Sequence, residues 1–407
     1  MPTTRRLVLG AAAASTLLPG RPRAQSSAIR IGVLNDQSGT YRDDTGPLSV
    51  LCVRQAAEEF AQQHPEIKVE VLSADHQNKP DVGAGIARSW FDESGVDAII
   101  DVPTSSVALA VNTVCREKNK AYLNSGAATT DLTGAQCSAN TVHWTYDTYM
   151  LAKSTGGAMV KSGGDSWFFI TADYVFGQQL QRDTARFVQD AGGKVLGART
   201  YPFPDTTDFS SFLLQAQASG AKVLGLCNSG NDTVNCIKQA HEFGLTKSMR
   251  IAAMLMYDGN VRAVGLQDAQ GLVMTGAFYW DLNDRTRAFW ERIRPKTPAQ
   301  PPNMIQAGCY AAALHYLKTV AALGLAAAKA DGRATVAHMK SMPTDDDCFG
   351  AGRIREDGRK IHPSYLMQVK TPAESKGPLD VLKVLATTAV DDAFRPMSEG
   401  GCSLVRG

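Results

Sequence analysis

The chain has 407 residues, of which 20% are charged, and its formal net charge is +2 at pH 7. A chain of this length is expected to form about two domains. The near balance of acidic and basic residues, without a basic run, argues against a nucleic-acid-binding protein.

The N-terminus has the pattern of an export signal over residues 1–24. Arg5 and Arg6 precede an apolar run over 7–18, and Ala24 is a small residue suited to cleavage. The run is too short to span a bilayer, and the paired arginines leave both general secretion and the twin-arginine route open. Removal of this segment would change the formal charge from +2 to −2. We therefore expect the mature protein to be exported.

After this segment the chain alternates apolar runs typical of strands with amphipathic stretches typical of helices. In the first helical stretch, Val50, Val53, Ala57 and Phe60 are spaced along one face. The first cycle contains predicted strands at 29–34, 68–73, 98–102 and 121–123, and predicted helices at 48–64, 81–94 and 107–118.

A second cycle of the same kind starts after Trp144. Its predicted strands lie at 166–170, 194–200, 222–226, 250–254 and 271–274, and its predicted helices at 147–161, 177–191, 209–219 and 232–243. The tail adds predicted helices at 286–293 and 306–328 and predicted strands at 360–368 and 379–386. This alternation predicts an α/β protein with parallel sheets covered on both faces, and two cycles predict two similar lobes. Without a low-complexity linker, we expect ordered crossings between the lobes near 144–147, 277–280 and 348–353.

Two polar loops that follow predicted strands carry the strongest functional signal. Residues 103–106 read Pro-Thr-Ser-Ser before a helix, and residues 125–130 read Ser-Gly-Ala-Ala-Thr-Thr before a short helical turn at 131–133. A helix N-terminus offers unpaired N–H groups and a partial positive charge. Two such termini at the carboxyl edge of one parallel sheet predict a receptor for a small anion such as a carboxylate. The alternative is that these serines and threonines are ordinary helix caps.

Eight cysteines are consistent with an oxidising compartment, although the sequence does not determine their pairing. Cys227 and Cys236 are close enough in the chain to bridge a strand end and the next helix. Cys52, Cys115 and Cys309 fit at least as well as buried, small apolar residues.

The order of elements resembles the periplasmic-binding-protein type I fold, specifically the branched-chain amino acid/amide class of ABC-transporter receptors. The resemblance covers residues 28–390 and rests on four stretches: 31–39 (Ile-Gly-Val-Leu-Asn-Asp-Gln-Ser-Gly), 103–106, 125–129 and 173–177 (Asp-Tyr-Val-Phe-Gly). Within that class, the chain is most similar to receptors assigned to aromatic acids. The resemblance implies two Rossmann-like lobes joined by a hinge. We expect one lobe to comprise 28–146 and 278–350, and the other 147–277 and 351–407.

The resemblance also implies a ligand site in the cleft between the lobes. Thr104 and Ser105 match positions whose hydroxyl and backbone donors grip the ligand carboxylate. Ala127 and Thr129 match positions that supply a carbonyl, an amide and a hydroxyl. Tyr41 matches a loop in which an aromatic side chain covers the ligand.

In the second lobe, Phe176 stands where many members have tyrosine, and Asn228 ends a strand that faces the cleft. Amino-acid receptors of this class hold the ligand ammonium with an acidic residue of this lobe, and Asp258 is the matching candidate. Its neighbours Met256 and Tyr257 are better suited to an apolar ring. We therefore expect a carboxylate ligand with an apolar or aromatic body and no required amine.

The resemblance implies a periplasmic receptor of an ABC importer, which delivers its ligand to permease subunits at the inner membrane without a cofactor or metal. The alternatives are a receptor for branched-chain amino acids, amides or urea, and a ligand-sensing subunit of a signalling system, which shares this fold. Enzyme motifs are missing: His241 and Glu242 are not followed by a histidine at 245, and the sequence contains no Gly-x-Ser-x-Gly. We therefore predict that the chain is not an enzyme.

Overall fold

The computed structural model describes residues 28–405, which form two α/β lobes built on separate sheets. The first sheet has five parallel strands in the order β2-β1-β3-β4-β5. These strands are β1 (Ala28–Asn35), β2 (Lys68–Asp75), β3 (Ala98–Asp101), β4 (Ala121–Asn124) and β5 (Thr141–His143). The predicted export signal at 1–24 lies outside the described residues.

The second sheet has seven strands in the order β14-β13-β10-β9-β8-β6-β7, parallel except for its last two strands in the chain. A two-stranded antiparallel ribbon, β11 with β12, precedes those last two strands. The strands are β6 (Ser166–Ala172), β7 (Lys194–Tyr201), β8 (Val223–Cys227), β9 (Arg250–Ala253), β10 (Val273–Gly276), β11 (Arg353–Ile354), β12 (Lys360–Ile361), β13 (Ser364–Val369) and β14 (Leu382–Thr388).

Helices cover both sheets. In the first half of the chain they are α1 (Gly46–Gln63), α2 (Pro80–Ser89), α3 (Ser105–Glu117), α4 (Thr148–Lys161), α5 (Val175–Asp190) and α6 (Ser210–Ala218). In the second half they are α7 (Gly230–Glu242), α8 (Asp258–Val264), α9 (Leu266–Ala269), α10 (Asp284–Ile293), α11 (Met304–Leu323), α12 (Leu325–Ala330), α13 (Gly332–Ser341) and α14 (Val390–Ala393). No helix within 28–405 combines the length and the apolar character needed to cross a membrane.

The predicted fold class is confirmed. Burial of the strands explains why their apolar runs could be recognised in the sequence. The inner strands β3, β4 and β8 are buried along their whole length, whereas the edge strands β2 and β7 are mostly half-buried or exposed. Parallel strands covered by helices on both faces read as continuous apolar runs. In α1, Val50, Val53 and Phe60 are buried as their spacing predicts. Helix α11 returns from the far end of the chain to pack against α1 and β3 in the first lobe.

Several elements differ from the prediction. The three-residue strand β5 and the helices α8 and α13 were not predicted. The predicted helix at 306–328 is interrupted at Gly324, whose φ of +82° is left-handed and ends α11. The predicted strand at 360–368 is divided at Pro363, because a proline has no N–H for a sheet. One part, β12, pairs with β11, and the other, β13, joins the second sheet.

The cysteine pairing also differs. A disulfide joins Cys137 to Cys402, across a sequence separation of 265 residues. Cys227 and Cys236, predicted to lie within bridging range, are both buried free thiols. The bridge suggested for them was therefore wrong, and the Nδ2 of Asn228 donates to the Cys236 sulfur at 3.5 Å. The three cysteines at 52, 115 and 309 are buried and free, in agreement with the apolar alternative.

The disulfide attaches the C-terminal tail to the first lobe, whereas the expected division assigned all of 351–407 to the second. Arg395 supports the same attachment, since its guanidinium donates to the carbonyl oxygen of Thr130 at 3.1 Å. The tail returns to the first lobe because Cys402 is bonded to Cys137, which lies between β4 and β5. The other lobe boundaries stay a prediction.

Two buried cations lie where the chain crosses between the lobes. The Arg359 guanidinium lies 4.2 Å from the ring centroid of Phe394 and 3.5 Å from a carboxylate oxygen of Asp147, the N-cap of α4. The Lys360 ammonium lies 4.8 Å from the ring centroid of Phe349, and burial lowers its pKa to about 8. These contacts pack the ribbon against the start of the second lobe.

Candidate ligand-binding cleft

A small cavity of about 10 Å³ lies between the two lobes. Most of its lining residues follow the carboxyl ends of parallel strands, the edge at which open α/β sheets bind ligands. The first lobe contributes Tyr41, Asp44, Thr45, Pro103, Gly126, Ala128, Tyr146 and Ile305. The second lobe contributes Tyr174, Phe176, Ser229, Leu255 and Tyr257.

The loop after β1 is organised by the buried carboxylate of Asp36. It accepts hydrogen bonds from the backbone N–H groups of Gly39 at 2.6 Å and Tyr41 at 2.9 Å. It also accepts one from Nδ2 of Asn78 at 2.7 Å, and the hydroxyl of Thr104 donates to Oδ1 of the same asparagine. A chain of buried hydrogen bonds therefore runs from the start of α3 to the loop that presents Tyr41.

The turn after β3 is strained. Asp101 and Val102 have φ values of +81° and +57°, which non-glycine residues rarely adopt and which cost about 1–3 kcal/mol each. Burial raises the pKa of Asp101 to about 7, and its carboxylate accepts from Nδ2 of Asn35 at 3.1 Å. Gly126 packs against this turn, where a Cβ would lie 2.6 Å from the Cα of Pro103. The strained turn therefore places two cavity-lining residues side by side.

Two pairs of tyrosine hydroxyls join the lobes across the cavity. The hydroxyls of Tyr41 and Tyr174 are 2.6 Å apart, and those of Tyr146 and Tyr257 are 2.9 Å apart. Tyr146 donates to the carbonyl oxygen of Gly126 at 2.5 Å, so Tyr257 must be the donor in its pair. Burial raises the pKa of all four phenols, which are neutral at physiological pH.

Further hydrogen bonds close the cleft at its rim. The Thr40 hydroxyl donates to Oδ1 of Asp232 at 2.9 Å, and Nε2 of Gln179 donates to Oδ2 of Asp131 at 2.9 Å. Burial raises the pKa of Asp232 to about 6, and its second carboxylate oxygen accepts from the Tyr201 hydroxyl at 2.7 Å. The structure therefore shows the lobes in mutual contact around the cavity.

Asp44 is the acidic residue that lines the cavity. It is 3% exposed, and its Oδ1 accepts from Nδ2 of Asn260 in the second lobe at 2.8 Å. Its Oδ2 has no hydrogen-bond partner among residues 28–405. Burial raises the pKa of this carboxyl to about 8. No lysine, arginine or histidine of the described chain lines the cavity.

Three of the predicted site residues, Tyr41, Phe176 and Tyr257, line the cavity. The residues predicted to grip a carboxylate lie beside the lining residues Pro103, Gly126 and Ala128. Both predicted helical starts are present, since α3 begins at Ser105 and a 3-10 turn spans Thr130–Thr133.

Thr104 and Thr129, at those helical starts, have partners within the protein, whereas the buried Ser105 hydroxyl has none among residues 28–405. Thr104 donates to Asn78, and the Thr129 hydroxyl accepts from the backbone N–H of Asp131 at 3.2 Å, as a helix cap does. The backbone of Ala127 is paired with the side chain of Asn124. Contact of Thr104, Ser105, Ala127 and Thr129 with a ligand stays a prediction.

Two further predicted residues of the second lobe also lie outside the lining. Oδ1 of Asn228 accepts from the Thr233 hydroxyl at 2.7 Å, and its neighbour Ser229 lines the cavity instead. The carboxylate of Asp258, the candidate ammonium partner, forms an ion pair with Arg262 at 2.6 Å. Both side chains therefore bind partners within the second lobe.

Sequence reasoning missed Asp44, Tyr146 and Tyr174 as cavity residues. Tyr174 lies within the quoted 173–177 stretch and Tyr146 lies within the predicted crossing at 144–147, so both carried a positional signal. Asp44 had none, because an acidic residue in a polar loop is typical of solvent exposure.

Comparison with known proteins identifies the family. The family model described as periplasmic binding protein matches residues 28–378. A periplasmic binding protein from Burkholderia mallei is 44% identical, with a TM-score of 0.89, over 93% of this chain and 100% of that chain. A branched chain amino acid ABC transporter periplasmic ligand-binding protein from Burkholderia xenovorans is 36% identical, with a TM-score of 0.80, over 92% and 99%.

A solute binding protein of an ABC transporter from R. palustris, solved in complex with benzoate, shares the fold at 19% identity. Its TM-score is 0.78, over 93% of this chain and 100% of that chain. Members of the matched family act outside the cytoplasm as binding components and not as enzymes. The chain therefore belongs to the periplasmic binding protein family and is a solute-binding receptor of an ABC-type transporter.

Proposed function

We propose that the cleft binds a small carboxylate with an aromatic body and that the receptor delivers it to the permease subunits of an importer. The observation that carries this proposal is the composition of the cavity wall. Five aromatic rings surround this space, those of Tyr41, Tyr146, Tyr174, Phe176 and Tyr257. With the lobes in contact this space holds about one water, so the lobes must separate to admit a ring.

Burial supplies the affinity for a ring. An aromatic side chain buries about 150–250 Å², which at about 25 cal/mol per Å² corresponds to about 4–6 kcal/mol. Offset or edge-to-face contacts with the surrounding rings add to this. Tyr174 is itself stacked on Phe203, with ring centroids 4.3 Å apart.

Donors for a carboxylate are available beside the rings. The first N–H groups of α3 have no partner within the helix, and they follow directly after the lining residue Pro103. The partial positive charge of a helix N-terminus favours an anion there. We assign the carboxylate to this end of the cavity, next to Gly126 and Ala128 of the second polar loop.

A receptor for a branched-chain amino acid is the second candidate. It is favoured by the Burkholderia xenovorans relative, which is described as a branched chain amino acid transporter component. Leu255 and Ile305 in the wall would pack against an aliphatic chain as well as against a ring. The benzoate complex from R. palustris supports the aromatic candidate only through its fold.

The test has two parts: it compares aromatic with aliphatic ligands, and it removes one aromatic ring from the cavity wall. Isothermal titration calorimetry on the mature protein would compare benzoate, cinnamate and 3-phenylpropanoate with the aliphatic acid 4-methylpentanoate, and L-phenylalanine with L-leucine. We expect the aromatic member of each comparison to bind more tightly. Tighter binding of both aliphatic members would refute the aromatic proposal and favour the branched-chain receptor.

The wall is tested with two phenylalanines of the same helix. Phe176→Leu keeps an apolar side chain but removes a ring from the cavity, so it should reduce the preference for aromatic ligands. Phe187→Leu is the matched control, because Phe187 packs against Tyr149 and does not line the cavity. An equal effect of the two substitutions would show that Phe176 does not contact the ligand.

A further inference from the structure

We infer that Asp44, in the first lobe, binds an ammonium group of the ligand, so that the preferred solutes are zwitterionic amino acids with an apolar or aromatic body. This inference rests on the proposed function of the cleft as a site for a small carboxylate. It differs from the expectation that no amine is required, and it places the ammonium partner after β1 and not at Asp258.

Three hydrogen bonds hold Asp44 in position, two to its backbone and one to its carboxylate. Its backbone N–H donates to the carbonyl oxygen of Tyr41 at 3.1 Å, and its backbone carbonyl accepts from Nδ2 of Asn303 at 2.8 Å. Asn260 donates to Oδ1 at 2.8 Å, and Asn260 is itself 4% exposed and held by the backbone N–H of Tyr257. Oδ2 is therefore the unpaired oxygen of a carboxylate whose residue lines the cavity.

Asp44 differs in this respect from the other acidic residues near the cleft. Asp232 accepts through both oxygens, from Thr40 and from Tyr201. Asp258 has Arg262 as a cationic partner. Among these three residues Asp44 alone lines the cavity, and its Oδ2 has no hydrogen-bond partner in the described chain.

The surroundings of Asp44 would favour a positive charge beside its carboxylate. A buried carboxylate is strongly unfavourable unless it is paired, and one amide donor compensates only part of that cost. The charged groups that face it, Asp36, Asp43 and Asp258, are all acidic. The hydroxyl protons of Tyr146 and Tyr257 are already used, since Tyr146 donates to the Gly126 carbonyl and Tyr257 donates to Tyr146. A ligand ammonium supplies both the missing donors and the missing charge.

The experiment uses two pairs of probes that differ only in the amine. L-phenylalanine is compared with 3-phenylpropanoate, and L-leucine with 4-methylpentanoate, by calorimetry on the mature protein. We expect the amine-bearing member of at least one pair to bind about ten- to a hundredfold more tightly, the usual effect of a hydrogen bond to a charged group. This comparison of ligands with and without an amine is independent of the comparison of aromatic with aliphatic ligands that tests the proposed function.

Asp44→Asn keeps the shape of the side chain and removes its charge. It should abolish the preference for the amine, because it weakens binding of the amine-bearing member far more than binding of the amine-free acid. The control is Asp43→Asn, which makes the same change at the adjacent exposed residue, whose carboxylate pairs with Arg42 on the surface. This control should keep the preference.

Each outcome is decisive. If an amine-free acid binds as tightly as its amine-bearing partner in the unmodified protein, the ammonium assignment is overturned and the carboxylate site remains. If the preference exists but Asp44→Asn retains it, another group binds the ammonium and the inference is likewise overturned. If only the leucine pair binds and depends on Asp44, the inference is supported and the aromatic proposal fails. Binding of none of the four probes would overturn the inference, and failure of benzoate and cinnamate as well would overturn the aromatic proposal.

Discussion

Gly230 begins α7 at the point where the second lobe contacts the first, and Gly230→Ala tests whether ligand binding requires lobe closure. Gly230 has a φ of +64°, and an added Cβ would lie 2.4 Å from the carbonyl oxygen of Thr40 and 2.9 Å from the ring of Tyr41. Both contacted atoms belong to the first lobe, and the first is a backbone atom that cannot rotate away. The variant therefore cannot keep the lobes at their present separation.

The expected magnitude follows from the hydrogen bonds that a wider cleft would lose. These are the bond from the Asn231 N–H to the Thr40 carbonyl at 3.1 Å and the bond from the Thr40 hydroxyl to Asp232 at 2.9 Å. At about 0.5–1.5 kcal/mol each, the closed state loses about 1–3 kcal/mol. If ligand binds the closed state, its Kd should rise about 5- to 150-fold.

Gly220→Ala is the matched control for this experiment. Gly220 also lies in the second lobe and has a φ of +68°, but an added Cβ there would meet no atom within 4 Å. Both substitutions impose left-handed backbone strain of about 1–2 kcal/mol and should lower the melting temperature similarly. Calorimetry with the tightest of the four probes should show weakened binding in Gly230→Ala alone. Equal affinities in the two variants would refute the reasoning.

Two further predictions concern buried polar groups of the cleft. Thr104→Val removes the donor to Asn78, so we expect a loss of about 1–3 kcal/mol in the free energy of unfolding, measured by urea denaturation; a loss of ligand affinity with unchanged stability would instead show that Thr104 contacts the ligand directly. Burial raises the pKa of Asp44 to about 8, from about 3.9 in an unfolded chain, so the folded protein binds more protons between these values and loses stability as pH rises through this window. The melting temperature of Asp44→Asn relative to the unmodified protein should therefore increase from about pH 5 to about pH 8, and a constant difference would contradict the pKa shift.

The fold could be predicted because its main signals are local. Continuous apolar runs mark strands buried on both faces, and their alternation with amphipathic helices defines parallel sheets. The elements that were missed are short or depend on distant partners. Strand β5 has three residues and is defined by its pairing with β4, and the disulfide partner of Cys137 lies 265 residues further along the chain. No local pattern carries such information.

The candidate site was predictable at the level of loops and less so at the level of side chains. The loops after β1, β3, β4, β6 and β9 all reach the cavity, as the parallel topology requires. Which residue of each loop faces the cavity depends on backbone geometry, such as the positive φ values of Asp101 and Val102. For this reason Pro103 and Gly126 line the cavity next to the residues that were predicted. Asp44 became recognisable only through its burial between the lobes.

The packing of α11 against α1 implies an order of assembly during folding. The Tyr310 hydroxyl donates to Glu59 at 2.6 Å across 251 residues of chain, so the first lobe cannot be completed until the segment that forms the second lobe has been made. Closing a loop of that length carries an entropy cost that grows with the number of free residues. Within the second lobe, the hydroxyls of Thr155 and Thr275 are buried 2.8 Å apart. A second lobe that folds early therefore brings the ends of its own segment together and shortens the loop that the first lobe must close.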